Sequence, residues 1–372
     1  MLVSSDKLKV ICSKLLNALD SDSTSVITET VALNASNNIL TLSVTNMEYL
    51  VKTKMDITTD EEFNATVNAD VFLKLINQLT TPSIELTIEN NILIVKGNGI
   101  YKLPMIYEND KLLVLPDITI KNVITEFDLS LSSLMAIYNY NSKELNKNLI
   151  GSSPVQKLYY VDKEGCITFT SGACVTTFSV PEQVKFLISP KLVKLFKLFT
   201  DSSVHICFGK DDINNEITQT KLLIKDSLVE LIAILPSDDT LLSMVPKDNI
   251  RQMAKQKYPY TISISKDKLS ESINRLLLFM PSNLYIQPLG RFEFFNNFVK
   301  LYDRDKHNEE SITYITPINL TSESEELILD LNDVKVMLDN VKEDNLTIHF
   351  GNHQAIVIER PNIYNIIPEC VL

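Results

Sequence analysis

Tryptophan is absent from this chain of 372 residues, glycine occurs only 8 times and histidine only 4 times. So few glycines leave little material for glycine-rich nucleotide loops, and GxGxxG, the phosphate-binding GxxxxGK signature, HExxH and GxSxG are all missing. The phrase KGNGIYKLP ends a strand pattern without opening a helix, so its two glycines read as a turn. Cysteine is also sparse: Cys12, Cys166, Cys174, Cys207 and Cys370 form no CxxC pair and are odd in number. That argues against a disulfide scaffold and for a reducing cytosol, with most of these thiols serving as small buried apolar groups. No apolar run approaches 18 uncharged residues, so a membrane span is not expected. The first helix pattern starts almost at Met1 and leaves no basic segment or apolar signal core, which predicts a cytoplasmic protein.

Positive charge is in deficit. Lys and Arg number 35 against 47 Asp and Glu, a formal charge of -12, which taken alone argues against a protein that coats nucleic acid tightly. A chain that is acidic outside and locally basic inside remains open, so the positions of the lysines matter more than their total. With 45% hydrophobic and 22% charged residues the composition is that of a soluble globular protein. At this length one core is not enough, and two or three domains are expected.

What the chain does have is a unit repeated three times: an amphipathic helix pattern, strand patterns, then a second helix running into further strands. The second halves read ADVFLKLINQLTTPSIELTIENNILIVKG from Ala69, SPKLVKLFKLFTDSSVHICFGK from Ser189 and LNDVKVMLDNVKEDNLTIHFGNHQAIVIE from Leu331. In the first unit Leu8, Ile11, Leu15 and Leu19 make a helical stripe, with Ser5 or Asp6 as cap. Alternating strands follow around an Asn-Asn turn, then a helix from about Asp70 to Leu79 and a hairpin around Glu89, Asn90 and Asn91. The second unit places helices at Ser130 to Leu149 and Pro190 to Phe199, and the third opens with ISKDKLSESINRLLLFM, where Asp267-Lys-Leu269 repeats Asp6-Lys-Leu8. Short helices must bury their stripes on a sheet, which predicts an α+β fold with two helices per unit packed on antiparallel sheets. The expected domains are 1–120, 121–248 and 249–372. Boundary segments fall at Leu115 to Thr125 and Leu241 to Tyr258, neither a Gly/Ser linker, so the units are expected to be held rigidly.

Lysines recur on these helices. Lys191, Lys194 and Lys197 follow a three-residue step, Lys7, Lys9, Lys14 and Lys74 belong to the first unit, and Lys143 and Lys147 form an i,i+4 pair. Lys268, Arg275, Lys335 and Lys342 belong to the third unit. One lysine on a helix is an ordinary solvated face. If every unit turns its helices the same way, the lysines gather on one surface suited to phosphate backbone rather than to base edges. Sparse arginine and no interleaved aromatics argue against single-strand stacking or base-specific readout.

A catalytic centre finds no support. His205, His307, His349 and His353 lack the company a zinc site needs, and the acidic runs Thr59-Asp-Glu-Glu62 and Glu323-Ser-Glu-Glu326 read as solvated turns. The expectation is a protein that is not an enzyme and carries no cofactor or metal.

Taken over its full length, the chain resembles the bacterial-type DNA polymerase III beta subunit, the beta sliding clamp, as a divergent member. The segments that carry the likeness are NNILTLSVTNMEYLVKTKMDI, the NADVFLKLINQL helix with its hairpin, KEGCITFTSGACVTTFSVP and the last 110 or so residues, ending YNIIPECVL. The resemblance implies a head-to-tail homodimer whose six domains close around duplex DNA, with helices lining the hole. It implies DNA-facing roles for Lys14, Lys143, Lys147, Lys194, Lys197, Arg275 and Lys342, and peptide motifs of DNA polymerase and clamp-loader subunits as partners. Weak, non-specific contacts would permit sliding, with encirclement replacing affinity.

The family's partner site is an apolar groove between its second and third domains, together with the chain terminus. Its usual T-D-G-H-R-L-like segment aligns with Thr170-Ser-Gly-Ala-Cys-Val175, and its M-P-M-R-L ending with Ile367-Pro-Glu-Cys-Val371, Leu372 being extra. By this resemblance Leu149, Ile150, Gly172, Cys174, Val175, Pro246, Ile367 and Pro368 are groove candidates. Leu278 and Phe279 are candidates for the dimer interface, with internal core as their competing role. The altered groove residues put the usual peptide specificity in doubt and suggest a divergent replisome, phage-like or of another mobile element. Two rival readings stand beside the clamp: an interaction hub that does not encircle DNA, and an enzyme whose carboxylates the fold assembles.

Overall fold

Asparagine pairs turn the first hairpins: Asn37 and Asn38 take φ of 51° and 61°, and Asn90 and Asn91 take 49° and 64°. Two consecutive left-handed residues are what a tight hairpin turn needs, and Asn tolerates that conformation better than other side chains with a Cβ. The computed structural model describes residues 1–19, 25–58, 62–139, 153–212, 218–280, 287–339 and 341–370. Its first stretch runs β1 (Leu2–Ser4), α1 (Ser5–Leu16), β2 (Thr30–Ser36), β3 (Ile39–Thr45), β4 (Tyr49–Asp56), β5 (Phe63–Asn68), α2 (Ala69–Gln78), β6 (Ser83–Glu89), β7 (Ile92–Lys96) and β8 (Ile100–Pro104). A small hairpin, β9 (Tyr107–Glu108) and β10 (Lys111–Leu112), follows.

The same order then recurs. It runs β11 (Val123–Ser130), α3 (Leu131–Asn139), β12 (Tyr159–Asp162), β13 (Gly165–Phe169), β14 (Ala173–Thr176), β15 (Phe186–Ile188), α4 (Pro190–Lys194), β16 (Ser203–Asp212), β17 (Thr218–Lys225) and β18 (Val229–Leu235). Two helices, α5 (Asp239–Ser243) and α6 (Lys247–Lys255), occupy the stretch that reads from sequence only as a boundary segment. A third pass gives β19 (Tyr260–Ser265), α7 (Lys266–Leu277), β20 (Leu289–Phe294), β21 (Phe298–Tyr302), β22 (Glu309–Thr313), β23 (Glu325–Asp330), α8 (Leu331–Asp339), β24 (Asn345–Phe350), β25 (Ala355–Arg360) and β26 (Ile363–Pro368). The fold is α+β with antiparallel sheets throughout.

The chain divides into two compact units, Met1–Met135 with Lys191–Asp238, and Ala136–Pro190 with Asp239–Leu372. The first holds a four-stranded sheet, β1-β6-β7-β8, and an eight-stranded sheet, β11-β16-β17-β18-β4-β3-β2-β5. The second holds an eight-stranded sheet, β15-β12-β13-β14-β26-β25-β24-β19, and a four-stranded sheet, β22-β21-β20-β23. Each eight-stranded sheet therefore joins strands of two consecutive repeats, through β4 against β18 in one unit and β14 against β26 in the other.

Within the first unit α1 buries Leu8, Ile11, Cys12 and Leu15 against α2 and strands β3 and β4. Each fully buried aliphatic side chain contributes about 1.5–3 kcal/mol relative to exposure. In the second unit strand alternation splits the eight-stranded sheet between two cores. Ile356, Ile358 and Ile367 face the core under α7 and α8. Ala355, Val357 and Ile366 face a second cluster with Val155, Tyr160, Val175, Leu242, Val245, Ile250 and Ala254.

Candidate functional site

The lysine-bearing helix at Pro190 owes its exposed row to a change of helical period. It runs as α-helix to Lys194 and then tightens to a 3-10 helix over Leu195–Leu198. A 3-10 helix has three residues per turn, so a three-residue step stays on one face. Lys191, Lys194 and Lys197 are exposed accordingly, while Leu192, Val193, Leu195, Phe196, Leu198 and Phe199 are buried.

Lys14, in the last turn of α1, reaches the end of this helix. Its Nζ donates to the Leu198 carbonyl, and the Thr200 hydroxyl lies 3.4 Å away. Partial burial pulls the Lys14 pKa below the ordinary lysine value, against the opposing pull of Asp226 and Asp201. Both carboxylates are engaged by the backbone: Asp226 accepts from the amides of Thr200, Leu228 and Val229, and Asp201 from the amide of Ser227. Three of the predicted DNA-facing residues, Lys14, Lys194 and Lys197, thus lie in one compact unit on α1 and the neighbouring helix. Lys143 and Lys147 lie outside the described residues.

In the other unit Arg275 sits on α7 with its charge answered. Its Nε and Nη2 donate to the two Glu310 carboxylate oxygens at 2.7 and 2.8 Å, and Glu271 stands one turn back at 3.7 Å. These hydrogen bonds to Glu310 raise the Arg275 pKa, and Arg275 in turn lowers that of Glu310. Lys342 is exposed, and its backbone amide donates to Glu343 at 3.0 Å.

The groove candidates fall on two faces of one sheet. β14 pairs with β26 so that Ala173 stands opposite Ile366, Cys174 opposite Asn365 and Val175 opposite Tyr364. Val175 and Ala173 therefore share a face with Tyr364 and Ile366, whereas Cys174 and Ile367 point to the opposite side. Gly172 sits where a Cβ would come within 2.8 Å of the Ile366 carbonyl oxygen, so glycine lets the β13–β14 turn close onto β26. The neighbouring Ser171 hydroxyl donates to the Asp333 carboxylate on α8 at 2.5 Å. Pro246 caps α6, Pro368 ends β26, and Leu149 and Ile150 lie outside the described residues.

The face that carries Val175 and Ile366 is covered by α6, which contacts β14, β25 and β26. Ile250 and Ala254 are buried there and Met253 is partly buried. Arg251 is buried with them. It grips Asp162 at the end of β12, with Nη1 to Oδ2 at 2.9 Å and Nη2 to Oδ1 at 2.5 Å. Sequence reasoning missed this helix, although Ile250, Met253 and Ala254 at helical steps after Pro246 are its signal.

Leu278 and Phe279, at the end of α7, are 79% and 66% exposed, which removes them from the core. Three of the four histidines have local side-chain partners: His205 bonds Asp128, His349 bonds Thr261 and Glu359, and His353 pairs with Glu325, while the His307 backbone amide donates to Asp303. Among the described residues no group of three or more His, Cys, Asp or Glu is placed to hold a metal ion, and no helix is long and apolar enough to cross a membrane.

The chain matches no family model and no curated protein sequence. Solved structures do match it over its whole length. The DNA polymerase III subunit beta from Pseudomonas aeruginosa superposes with a TM-score of 0.81 at 13% identity, covering 100% of both chains. The corresponding subunit from Borrelia burgdorferi gives 0.77 at 14% identity, covering 100% of this chain and 99% of that one. The Thermotoga maritima subunit gives 0.75 at 14% identity with the same coverage. The resemblance read from the sequence holds at the level of the fold: this chain has the architecture of the DNA polymerase III beta subunits from end to end.

Proposed function

We propose that this protein is a DNA sliding clamp, a processivity factor that encircles duplex DNA as a homodimer and tethers replication proteins. The observation that carries the reading is the full-length likeness to the Pseudomonas aeruginosa structure, one form of which is described as a DNA polymerase sliding clamp. In this reading the domains are 1–120, 121–248 and 249–372, each one pass of the repeated element order.

Strand pairing supports closure into a ring. The last strand of the second repeat, β18, pairs with β4, the third of the four middle strands of the first repeat. The last strand of the third repeat, β26, pairs with β14, the equivalent strand of the second. By the same rule β8 wants a partner equivalent to β22, yet β8 and β22 each end a four-stranded sheet. Both strands are 5 residues long. Open edges invite pairing with another chain. A second copy supplying β22 to β8 joins the two four-stranded sheets into one of eight, and a head-to-tail pair of copies leaves neither β8 nor β22 unpaired. Leu278 and Phe279 then serve as the apolar contact beside the new strand pair, opposite a surface bearing the exposed Ile100, Tyr101 and Tyr107.

The DNA-facing assignment rests on the exposed Lys194, Lys197 and Lys342, and Lys14 contributes less because it is half-buried on the Leu198 carbonyl. Arg275 contributes less because Glu310 neutralises it locally. A few exposed lysines on an otherwise acidic chain suit loose, sequence-independent contact with phosphates, which is what sliding requires. The partner-binding face is assigned to the sheet bearing Val175 and Ile366, with polymerase and clamp-loader peptides as its ligands.

The deciding experiment measures retention on closed circular duplex DNA after loading or spontaneous opening. A clamp stays on the circle and is lost when the circle is cut. Retention that ignores the cut, or no retention on either form, overturns the reading.

A further inference from the structure

The first unit's eight-stranded sheet ends at β11. The Leu131 amide donates to the Ser202 carbonyl at 2.9 Å, and β11 pairs antiparallel with β16 from Thr125–Phe208 to Ser130–Ser203. Antiparallel strands alternate bonded and non-bonded pairs. Thr125, Phe127 and Leu129 therefore turn their amides and carbonyls toward β16, and those of Glu126 and Asp128 face away from the sheet. Among the described residues no backbone group meets them there.

Comparable edges are closed by the chain itself. After β19 the Lys266 amide donates to the Asp344 carbonyl at 2.9 Å, the contact that Leu131 makes after β11. That match places Ser263 where Asp128 stands. The Ile315 amide donates to the Ser263 carbonyl at 2.8 Å, and Thr316 forms a β-bridge with the same residue. At the far end of the sheet that holds β11, the Ile106 amide donates to the Thr66 carbonyl of β5 at 2.8 Å. Strand β11 is 8 residues long and only its Leu129 is buried. An open edge of this length is a template for another strand.

The side chains select what that strand carries. Glu126 and Asp128, two apart on one sheet face, have side chains 54% and 73% exposed. His205 of β16 stands beside them, 3.0 Å from Asp128 and 3.6 Å from Glu126. Among the described residues no lysine or arginine forms an ion pair with either. The register shifts between Val123 and Thr125, and there Val123 and Ile124, 49% and 42% exposed, give the row an apolar end. A second copy pairing β11 with β11 would set carboxylates against carboxylates, which disfavours it.

We propose that β11 is a docking strand for an extended segment of a partner protein that carries two basic side chains at alternate positions. The segment binds by strand addition, through the backbone groups of Glu126 and Asp128. In antiparallel pairing its basic residues lie opposite Asp128 and then Glu126, and an apolar residue two further on meets Val123 and Ile124. This site is independent of the clamp reading.

The test uses the full chain and three fluorescein-labelled synthetic peptides: TKTRTVT, its acidic counterpart TETETVT, and TKTRTVT with the amides of its lysine and arginine N-methylated. Anisotropy reads binding, and hydrogen exchange reads single amides. Without peptide, the Glu126 and Asp128 amides should exchange faster than those of Phe127 and Leu129, and TKTRTVT should slow them at least about fivefold. Glu126→Lys with Asp128→Lys should weaken TKTRTVT binding by about tenfold and turn the preference to TETETVT. Both side chains are exposed, so this variant should melt with the wild type. N-methylation should abolish binding although the peptide keeps its charge. Glu126 and Asp128 amides as protected as Phe127 without peptide overturn the open edge. Amides that TKTRTVT does not slow, or equal binding of all three peptides, overturn the docking strand. Protection of these amides that rises with protein concentration and excludes TKTRTVT assigns the edge to a second copy and also overturns the proposal.

Discussion

Lys14 donates its ammonium to the carbonyl of Leu198, tying the last turn of α1 to the end of the helix that carries Lys191, Lys194 and Lys197. The contact links residues 184 positions apart in sequence. It also divides the labour among the lysines. Lys14 is half-buried, whereas Lys194 and Lys197 are exposed.

That division predicts different phenotypes. Lys194→Gln with Lys197→Gln should leave the melting temperature unchanged and reduce the salt-dependence slope of duplex binding by about 2, one per lost phosphate contact. Lys14→Met should lower stability by about 1 kcal/mol, because it removes a charge-assisted bond to a backbone carbonyl. Thermal melts and binding titrations at several salt concentrations measure both.

Asp162 predicts a pH effect. Burial pushes its pKa up, but the hydrogen bonds from Arg251 and the Glu164 amide, with the Arg251 charge, outweigh burial and leave it below the ordinary carboxylate value. A carboxylate with a lowered native pKa contributes fully above the unfolded-state value of about 4 and loses that contribution as pH falls through the native one. The wild type should therefore lose stability on acidification below about pH 4 more steeply than the neutral double variant that combines D162N with R251Q. Urea titrations between about pH 7 and about pH 2.5 check this, and parallel acid limbs would contradict it. Asp162→Ala alone should cost about 3 kcal/mol at neutral pH, since it strands the buried guanidinium.

Much of the fold was legible because its signals are local. Period-two alternation around Asn37-Asn38 and Asn90-Asn91 marks the hairpins, and the stripe of Leu8, Ile11 and Leu15 marks α1. The lysine row was legible for the same reason, although its three-residue step signals a 3-10 turn rather than a regular α-helix. Helix α6 was hidden because Lys247, Asp248, Arg251 and Lys255 make its segment look like a charged boundary. Its apolar side has only Ile250, Met253 and Ala254. The division of Cys174 and Ile367 from Val175 was hidden for another reason. Which face a strand residue takes depends on pairing register, and a one-residue shift exchanges the faces. The pairings of β4 with β18 and β14 with β26 join strands far apart in sequence, and nothing local encodes them.

Asp211 offers a test of how the segment before β11 is anchored. Its carboxylate accepts from the amides of Lys121 and Asn122 at 2.9 and 2.8 Å and from the Lys221 ammonium at 2.8 Å. Lys221 also donates to the Thr119 carbonyl at 2.8 Å. Burial raises the Asp211 pKa, but these donors lower it by more, so the group is ionised and central to the network. Asp211→Ala leaves two amides without their acceptor and takes one of two acceptors from the Lys221 ammonium, and a loss of about 2–4 kcal/mol is expected. Hydrogen exchange should quicken at Lys121 and Asn122 before it does in the strands. Global unfolding with no local phase would contradict this anchoring role.

Leu278 and Phe279 carry the prediction for assembly. Residues so exposed add little to the stability of one chain, because unfolding uncovers little more of their surface. At an interface between copies they would be covered, and charges there would be desolvated without partners. Leu278→Asp with Phe279→Asp should therefore leave the stability of the monomer within about 1 kcal/mol of the wild-type value. It should convert a dimer to a monomer in sedimentation and abolish retention on circular DNA. Weakening only the strand edge, by Ser311→Pro in β22, should also favour the monomer by removing an edge amide from the β8 pairing. Ser311 is exposed, so that variant leaves the core side chains in place. A double-Asp variant that stays dimeric and circle-bound would place the contact between copies elsewhere on the surface.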